Sequence, residues 1–268
     1  MYSKDNVPHY GILNHYLERG TEEMQTIDRA MEIIEIISGS DAAKWLSITD
    51  ISKECELPVS TIHRLLNSMK DHGLIQQDPA SKLYTLGNKW LEYGLQLYDS
   101  FDFVGQIRPE MERLMNEVGE SVYYNKPFGL ESLVVERIDC PTNPIRIYDQ
   151  LGNRIPMHIG AANKAMLAFL PQAESQKIVG TLVAAEGQDA FFEKLQAVKL
   201  QGYGISHGEK TKGTSAVAAP IFNQMNELIG AISIGYVNFQ VSEEREKLLI
   251  DRVVEYGRRI SVKLGYRY

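Results

Sequence analysis

Residues 46–86 read LSITDISKECELPVSTIHRLLNSMKDHGLIQQDPASKLYTL, and the fold follows from this stretch. Leu46-Ser47-Ile48 is a short apolar lead-in. Thr49 is placed to cap a helix whose buried side holds Ile51 and Cys55, four residues apart. Glu56-Leu57-Pro58-Val59 ends that helix, because Pro58 steers Leu57 away from helical angles and has no N–H to donate. Ser60 is the expected cap of a second helix, in which Ile62, Leu65, Leu66 and Met69 recur at the spacing of one apolar face. Thr61, His63, Arg64, Asn67 and Lys70 are left outside, and every one of them can hydrogen-bond. A helix anchored by one face and lined with donors on the other suits the major groove of DNA.

The residues that follow extend the pattern. His72-Gly73 closes the second helix, since Gly73 accepts the left-handed conformation of a helix stop. Residues 74–77 and 82–86 are expected as short strands around Asp78-Pro79-Ala80-Ser81, a turn sequence. Together they form the wing of a winged helix-turn-helix, with Lys82 near a tip that can lie along phosphates. The plainer alternative is a helical hairpin used for packing or dimer contacts; the added wing argues against it.

A chain of 268 residues with 44% apolar content suits one large or two ordinary globular domains. No apolar run approaches a membrane span, and the first twenty residues lack the basic and apolar regions of a secretory signal. Cys55 and Cys140 offer neither a disulfide framework nor zinc-ligand spacing, so a cytoplasmic protein is expected. The net charge of −7 runs against a polyanion partner. Local sign matters more: Asp28, Glu32, Glu35, Asp50, Glu54 and Glu56 gather in the first helices, whereas Arg64, Lys70, Lys82 and Lys89 gather in the second helix and wing.

Residues 1–25 read as a polar N-terminal arm. Thr26 opens a helix with Ile27, Ala30, Met31, Ile33, Ile34 and Ile37 inward, completing a three-helix core over residues 26–86. Residues 87–102 form a linker helix whose Trp90, Leu91, Leu95, Leu97 and Tyr98 are apolar on more than one side, which favours a second chain. Residues 103–268 alternate helix and strand. A helix from Phe103 precedes strands at 121–124, 132–138 and 145–148. Helices follow at 162–169, 173–182 and 191–201, then a hairpin at 215–222 and 228–237. A last helix at 243–264 has Leu248, Leu249, Val253, Val254, Ile260 and Leu264 inward. Sheet flanked by helices defines a three-layer α+β domain.

Four motifs stand in order along the chain: LPVSTIHRLL (Leu57–Leu66), IPMHIGAANKAMLAFLP (Ile155–Pro171), GYGISHGEKTKGTSAVAAPIF (Gly202–Phe222) and AISI (Ala231–Ile234). On them the chain resembles the IclR family of bacterial transcriptional regulators, from Thr26 to Gly265. The resemblance implies a winged helix joined by a linker helix to a C-terminal GAF-like domain that binds a small effector, in homodimers or homotetramers on double-stranded operator DNA. Three positions depart from the family pattern. Asn163 replaces the glycine of a GKA motif, Ala216 replaces a frequent cysteine, and Ser206-His207 stands where acidic residues are common. All three fall where the family's ligand sits and bear on the effector's identity.

Gly160-Ala161-Ala162 precedes a helix with small side chains only, so its first N–H groups can meet a carboxylate; equally, small residues let helix and sheet approach closely. Ser215 and Ser233 are placed to supply hydroxyls from a pocket floor, beside Ala216, and Ser206 from a facing loop. His158 and His207 lack a second ligand at short spacing and read as structural or pocket-lining. Ser215, His207 and an acid can be drawn as a triad, but no GxSxG, HExxH, P-loop or dinucleotide motif is present. No catalytic residue, metal site or cofactor is expected. The DNA contacts are assigned to Thr49, Ser60, Thr61, His63, Arg64, Asn67, Lys70 and Lys82. The expected function is a repressor whose operator binding responds to a small carboxylic or sugar acid; the alternative is an oligomeric metabolite-binding protein, or one with minor enzymatic activity.

Overall fold

Ser47, not Thr49, starts the first helix of the helix-turn-helix. The Ser47 hydroxyl accepts from the Asp50 N–H at 3.2 Å, and the Asp50 carboxylate accepts from the Ser47 N–H at 3.2 Å. This reciprocal capping box needs an acid three residues on, which Ser47 has and Thr49 lacks. The computed structural model describes residues 26–39, 45–99, 102–142 and 149–267, and the chain divides into two compact units before Asp102.

In the N-terminal unit, α1 (Thr26–Ser38), α2 (Ile48–Glu54) and α3 (Val59–Asp71) enclose Ile33, Ile37, Ile51, Ile62 and Leu66, all 0% exposed. Ile27 and Met31 turn outward instead, because a helix lying on two neighbours buries only a narrow stripe. Between α2 and α3 the chain turns at Glu56 (φ 52°), and the Leu57 N–H donates to the Ser52 carbonyl at 3.1 Å. The start of α3 also differs from expectation. Pro58 occupies the cap position, its carbonyl accepting from Thr61 and Ile62 at 2.9 and 3.1 Å, so the Ser60 hydroxyl is not used as a cap. Gly73 adopts φ 70° at the stop of α3, as expected.

The wing is β1 (Ile75–Gln77) paired antiparallel with β2 (Tyr84–Leu86). The Asp78 carboxylate accepts from the Ser81 N–H at 2.6 Å and from its hydroxyl at 2.5 Å, closing the turn. The apolar lead-in has a partner: Leu46 and Tyr84 exchange backbone hydrogen bonds at 2.9 and 2.8 Å, which ties the entry to α2 onto the wing. Helix α4 (Lys89–Asp99) follows, its Trp90 indole donating to the Leu74 carbonyl at 2.7 Å.

The C-terminal unit is built on a six-stranded antiparallel sheet of order β5-β4-β3-β8-β7-β6. Its strands are β3 (Ser121–Phe128), β4 (Glu131–Ile138), β5 (Arg154–Pro156), β6 (Gly204–His207), β7 (Thr214–Phe222) and β8 (Leu228–Val237). Helices α5 (Asp102–Val118) and α9 (Glu243–Lys263) cover one face around Met111, Leu114, Val253 and Ile260. Helices α6 (Ala161–Phe169), α7 (Gln172–Leu182) and α8 (Ala185–Gln201) cover the other around Met157, Ala165, Met166 and Val179. The three-layer α+β expectation holds, while β5 and β6 were missed and Leu248 is exposed. The strand expected at 145–148 lies outside the described residues, as does the N-terminal arm. Among the described residues no helix is long and apolar enough to cross a membrane.

One buried carboxylate joins α5 to α9. Glu110 is 0% exposed and meets Lys263 and Arg113, each at 2.5 Å, and Arg259 at 3.5 Å. Burial alone would raise its pKa, but Lys263, Arg113 and Arg259 outweigh it and hold the carboxyl below the ordinary range. A lowered folded-state pKa contributes stability above the unfolded value, about 4.3, that is lost as pH falls through the folded value. Glu110→Gln is therefore expected to flatten the acid limb of stability. Urea midpoints compared between neutral pH and pH of about 3 check this, and an acid dependence equal to that of the wild type would refute it.

Candidate functional site

On α3 the apolar and polar faces separate cleanly. Ile62, Leu65, Leu66 and Met69 are buried, Thr61 and Asn67 are partly exposed, and Ser60, His63, Arg64 and Lys70 are exposed. The Asn67 amide nitrogen lies 3.2 Å from His63 Nδ1, one helical turn away, so the two side chains orient each other. Val59, at the first helical position, leaves an apolar side chain exposed at the leading end, which sequence reasoning did not single out. Lys82 is exposed at the wing turn with φ 59°. Thr49 is exposed on α2, its hydroxyl 2.7 Å from that of Ser47. The Cys55 thiol lies under this surface, and burial pushes its pKa up to about 12, so it is an inert core group.

In the C-terminal unit a cleft of about 630 Å³, counted to its open mouth, lies between the start of α6 and the sheet. Gly160, Ala161, Ala162, Ser206, Ser215, Ala216 and Ser233 all line it. Small side chains here serve close approach: a Cβ on Gly204 would lie 2.5 Å from the Ala161 carbonyl oxygen. Register decides which hydroxyls face the cleft. Ser206 pairs with Ala216, and Ser233 pairs with both Ala218 and Tyr123, so these positions share one side of the sheet. Ser215 pairs with Tyr236 and points to the other side, where its hydroxyl meets His207 Nδ1 at 3.0 Å. The expected hydroxyl from Ser215 is therefore withdrawn from the pocket floor, and Ser206 comes from a strand and not from a loop.

The same geometry dissolves the drawn triad. His207 Nδ1 is 3.0 Å from Ser215 Oγ and 3.9 Å from Glu246 Oε1. One ring nitrogen serves both neighbours, whereas a relay needs the two nitrogens on opposite partners. Glu246 is instead held by the Tyr236 hydroxyl, which donates to it at 2.5 Å.

The electrostatics of the cleft come from residues that sequence reasoning missed. The Gly160 N–H donates to Glu209 Oε2 at 2.8 Å, and Lys164 Nζ donates to Glu209 Oε1 at 2.5 Å. Lys210 pairs with Asp149 across the cleft lining. Burial, reinforced by Asp149, pushes the Tyr123 phenol up and keeps it a neutral hydroxyl. Burial also lowers the pKa of His158, with Glu209 opposing. Glu209 lies forty-nine residues from Gly160, and no local spacing announces such a pair.

A winged helix followed by an α+β unit with a polar cleft is the architecture of a ligand-responsive DNA-binding regulator. A family model described as "IclR helix-turn-helix domain" matches residues 26–79, and one described as "Bacterial transcriptional regulator IclR C-terminal" matches residues 96–262. The chain belongs to the IclR family of bacterial transcriptional regulators. It is 29% identical over 252 residues to the HTH-type transcriptional regulator KipR of Bacillus subtilis, covering 90% of this chain and 98% of that one. Against the Escherichia coli regulator XynR the identity is 28% over 250 residues, covering 91% and 98%. Against the transcriptional repressor IclR of Escherichia coli it is 27% over 250 residues, covering 88% and 86%. A crystal structure of an IclR transcriptional regulator from Alicyclobacillus acidocaldarius covers 91% of this chain and all of its own, with a TM-score of 0.77 at 21% identity. At that identity the likeness bears on fold alone.

Proposed function

We propose that the protein is a repressor of transcription that binds double-stranded operator DNA in the cytoplasm as a homodimer or homotetramer, under control of a small carboxylic or sugar acid. The observation that carries the DNA-binding part is α3 itself: four apolar residues locked inward and a continuous polar side facing solvent. In this scheme Arg64 or His63 reads base edges, with Asn67 beside them. Ser60, Thr61 and Lys70 hold phosphates, with Thr49 on α2 and Lys82 on the wing at flanking positions. Residues 26–86 act as the DNA-binding domain, 87–102 as linker helix and 103–268 as effector domain. Leu91 and Leu95 of α4, 62% and 58% exposed, support pairing of two copies through the linker. The name of the Escherichia coli relative as a repressor supports the sign of regulation.

Arg64→Ala is expected to cost about 1–3 kcal/mol of operator affinity and to relax base preference at one position. Gel-shift titration against operator variants measures both quantities, at several salt concentrations because the phosphate contacts are salt-dependent. Unchanged affinity and unchanged preference would remove Arg64 from the interface. For the cleft, support comes from the positive end of α6, the buried Lys164 ammonium and the Ser206 and Ser233 hydroxyls. A thermal-shift screen of carboxylates is the corresponding test. Any ligand found must change operator affinity by the factor by which operator changes its own, since coupling is reciprocal.

A further inference from the structure

We propose that Glu209 is a built-in occupant of the anion position in the cleft, and that an effector carboxylate binds by replacing it on Gly160 and Lys164. This rests on the cleft being the effector site. The Glu209 carboxylate sits where an acid ligand would be held, one oxygen on the Gly160 N–H and the other on Lys164 Nζ. The ammonium host is more enclosed than its guest. Lys164 lies within α6 and its side chain is 9% exposed, whereas that of Glu209 is 35% exposed on the β6–β7 turn. A buried ammonium needs an anion beside it in every state, but the anion need not always be the same one. The turn carrying Glu209 is bounded by Gly208 (φ 67°) and Gly213 (φ 82°), and residues 209–213 are exposed although Glu209, Lys210 and Thr211 also line the cleft.

A second observation points to a ligand. Asn163 is 1% exposed and lines the same cleft. Its amide nitrogen donates to the carbonyls of Ile155 at 3.2 Å and Pro156 at 2.9 Å, which fixes the direction of the amide. Its Oδ1 is then a buried acceptor without a donor. A molecule carrying a carboxylate and a neighbouring hydroxyl would satisfy both the cradle and this acceptor, so the class assigned is a hydroxy acid.

The test uses full-length protein, with glycerate as the hydroxy-acid probe and glycerol as its uncharged counterpart, titrated by calorimetry. Glu209→Ala should bind glycerate about tenfold or more tighter than the wild type, because the internal competitor has gone, and should bind glycerol as the wild type does. Equal or weaker binding of glycerate, or binding of neither probe by a variant that still shifts operator DNA, overturns the proposal. Glu209→Gln keeps the shape of the turn and should move in the same direction should the alanine variant fail to fold. Glycerol matching glycerate in both proteins would sink the carboxylate reading of the cleft itself, a different failure. A second readout is tryptic cleavage at Lys210 and Lys212, on the displaced turn. Glycerate should accelerate it in the wild type; protection or no change overturns the exchange.

Discussion

Leu66→Ala is expected to destabilise the N-terminal unit by about 2–5 kcal/mol, the range for removing a fully buried leucine whose site cannot collapse. Leu66 is 0% exposed in a core shared with Ile33, Ile37, Ile51 and Ile62, so one truncation loosens all three helices at once. A loss of that size is a large share of the roughly 5–15 kcal/mol that holds a typical domain, and the unit is small, with a correspondingly modest core. The chain has two tryptophans, Trp45 and Trp90, both in this unit, so tryptophan fluorescence during urea unfolding reports it selectively. Operator binding should fall with stability although Leu66 touches no DNA in the proposed complex. A midpoint shift equivalent to less than about 0.5 kcal/mol would mean the site relaxes or that α3 is less firmly anchored than its burial indicates.

The second large effect is expected at Gly204, on β6 beneath α6. A Cβ there would come within 2.5 Å of the Ala161 carbonyl oxygen and 3.1 Å of the Ala165 nitrogen. Both obstacles are backbone, so relief requires α6 to move away from the sheet; no side chain can rotate to make room. Gly204→Val is expected to cost about 1–3 kcal/mol or more by overpacking. It should also weaken effector binding, because α6 carries Gly160 at its start and Lys164 within it. Near-ultraviolet dichroism of the tyrosines, followed through thermal unfolding, measures the first effect and ligand titration the second. A wild-type melting profile with wild-type ligand affinity would show that α6 is not held by this contact.

Much of the N-terminal unit was legible in the sequence because its determinants are local. Ile62, Leu65, Leu66 and Met69 mark one helical face, Pro58 breaks the chain between two helices, and Gly73 supplies the left-handed stop. The errors there are errors of two residues. Thr49 and Ser60 were each preferred as caps, but Asp50 completes a reciprocal pair only with Ser47, and Pro58 begins α3 without a hydroxyl. In the C-terminal unit the long strands were legible from their β-branched alternation, and β8 was bounded correctly at Leu228 and Val237. The three-residue β5 and four-residue β6 were not, since so few residues cannot establish a period.

What the sequence determined by itself was therefore the order and type of the main elements, the anchored helix with its polar side, and the family. The chemistry of the cleft was decided by tertiary structure. Strand register turned Ser215 away and left Ser233 facing in, a choice invisible without knowing which face is covered by α6. The turn between β6 and β7 brought the Glu209 carboxylate onto a helix start forty-nine residues earlier. Helices and hairpins arise from neighbours within a few residues, and their signals survive in a linear reading. A charge placed on a distant N–H depends on the packing of every element between them, and only the folded chain contains that information.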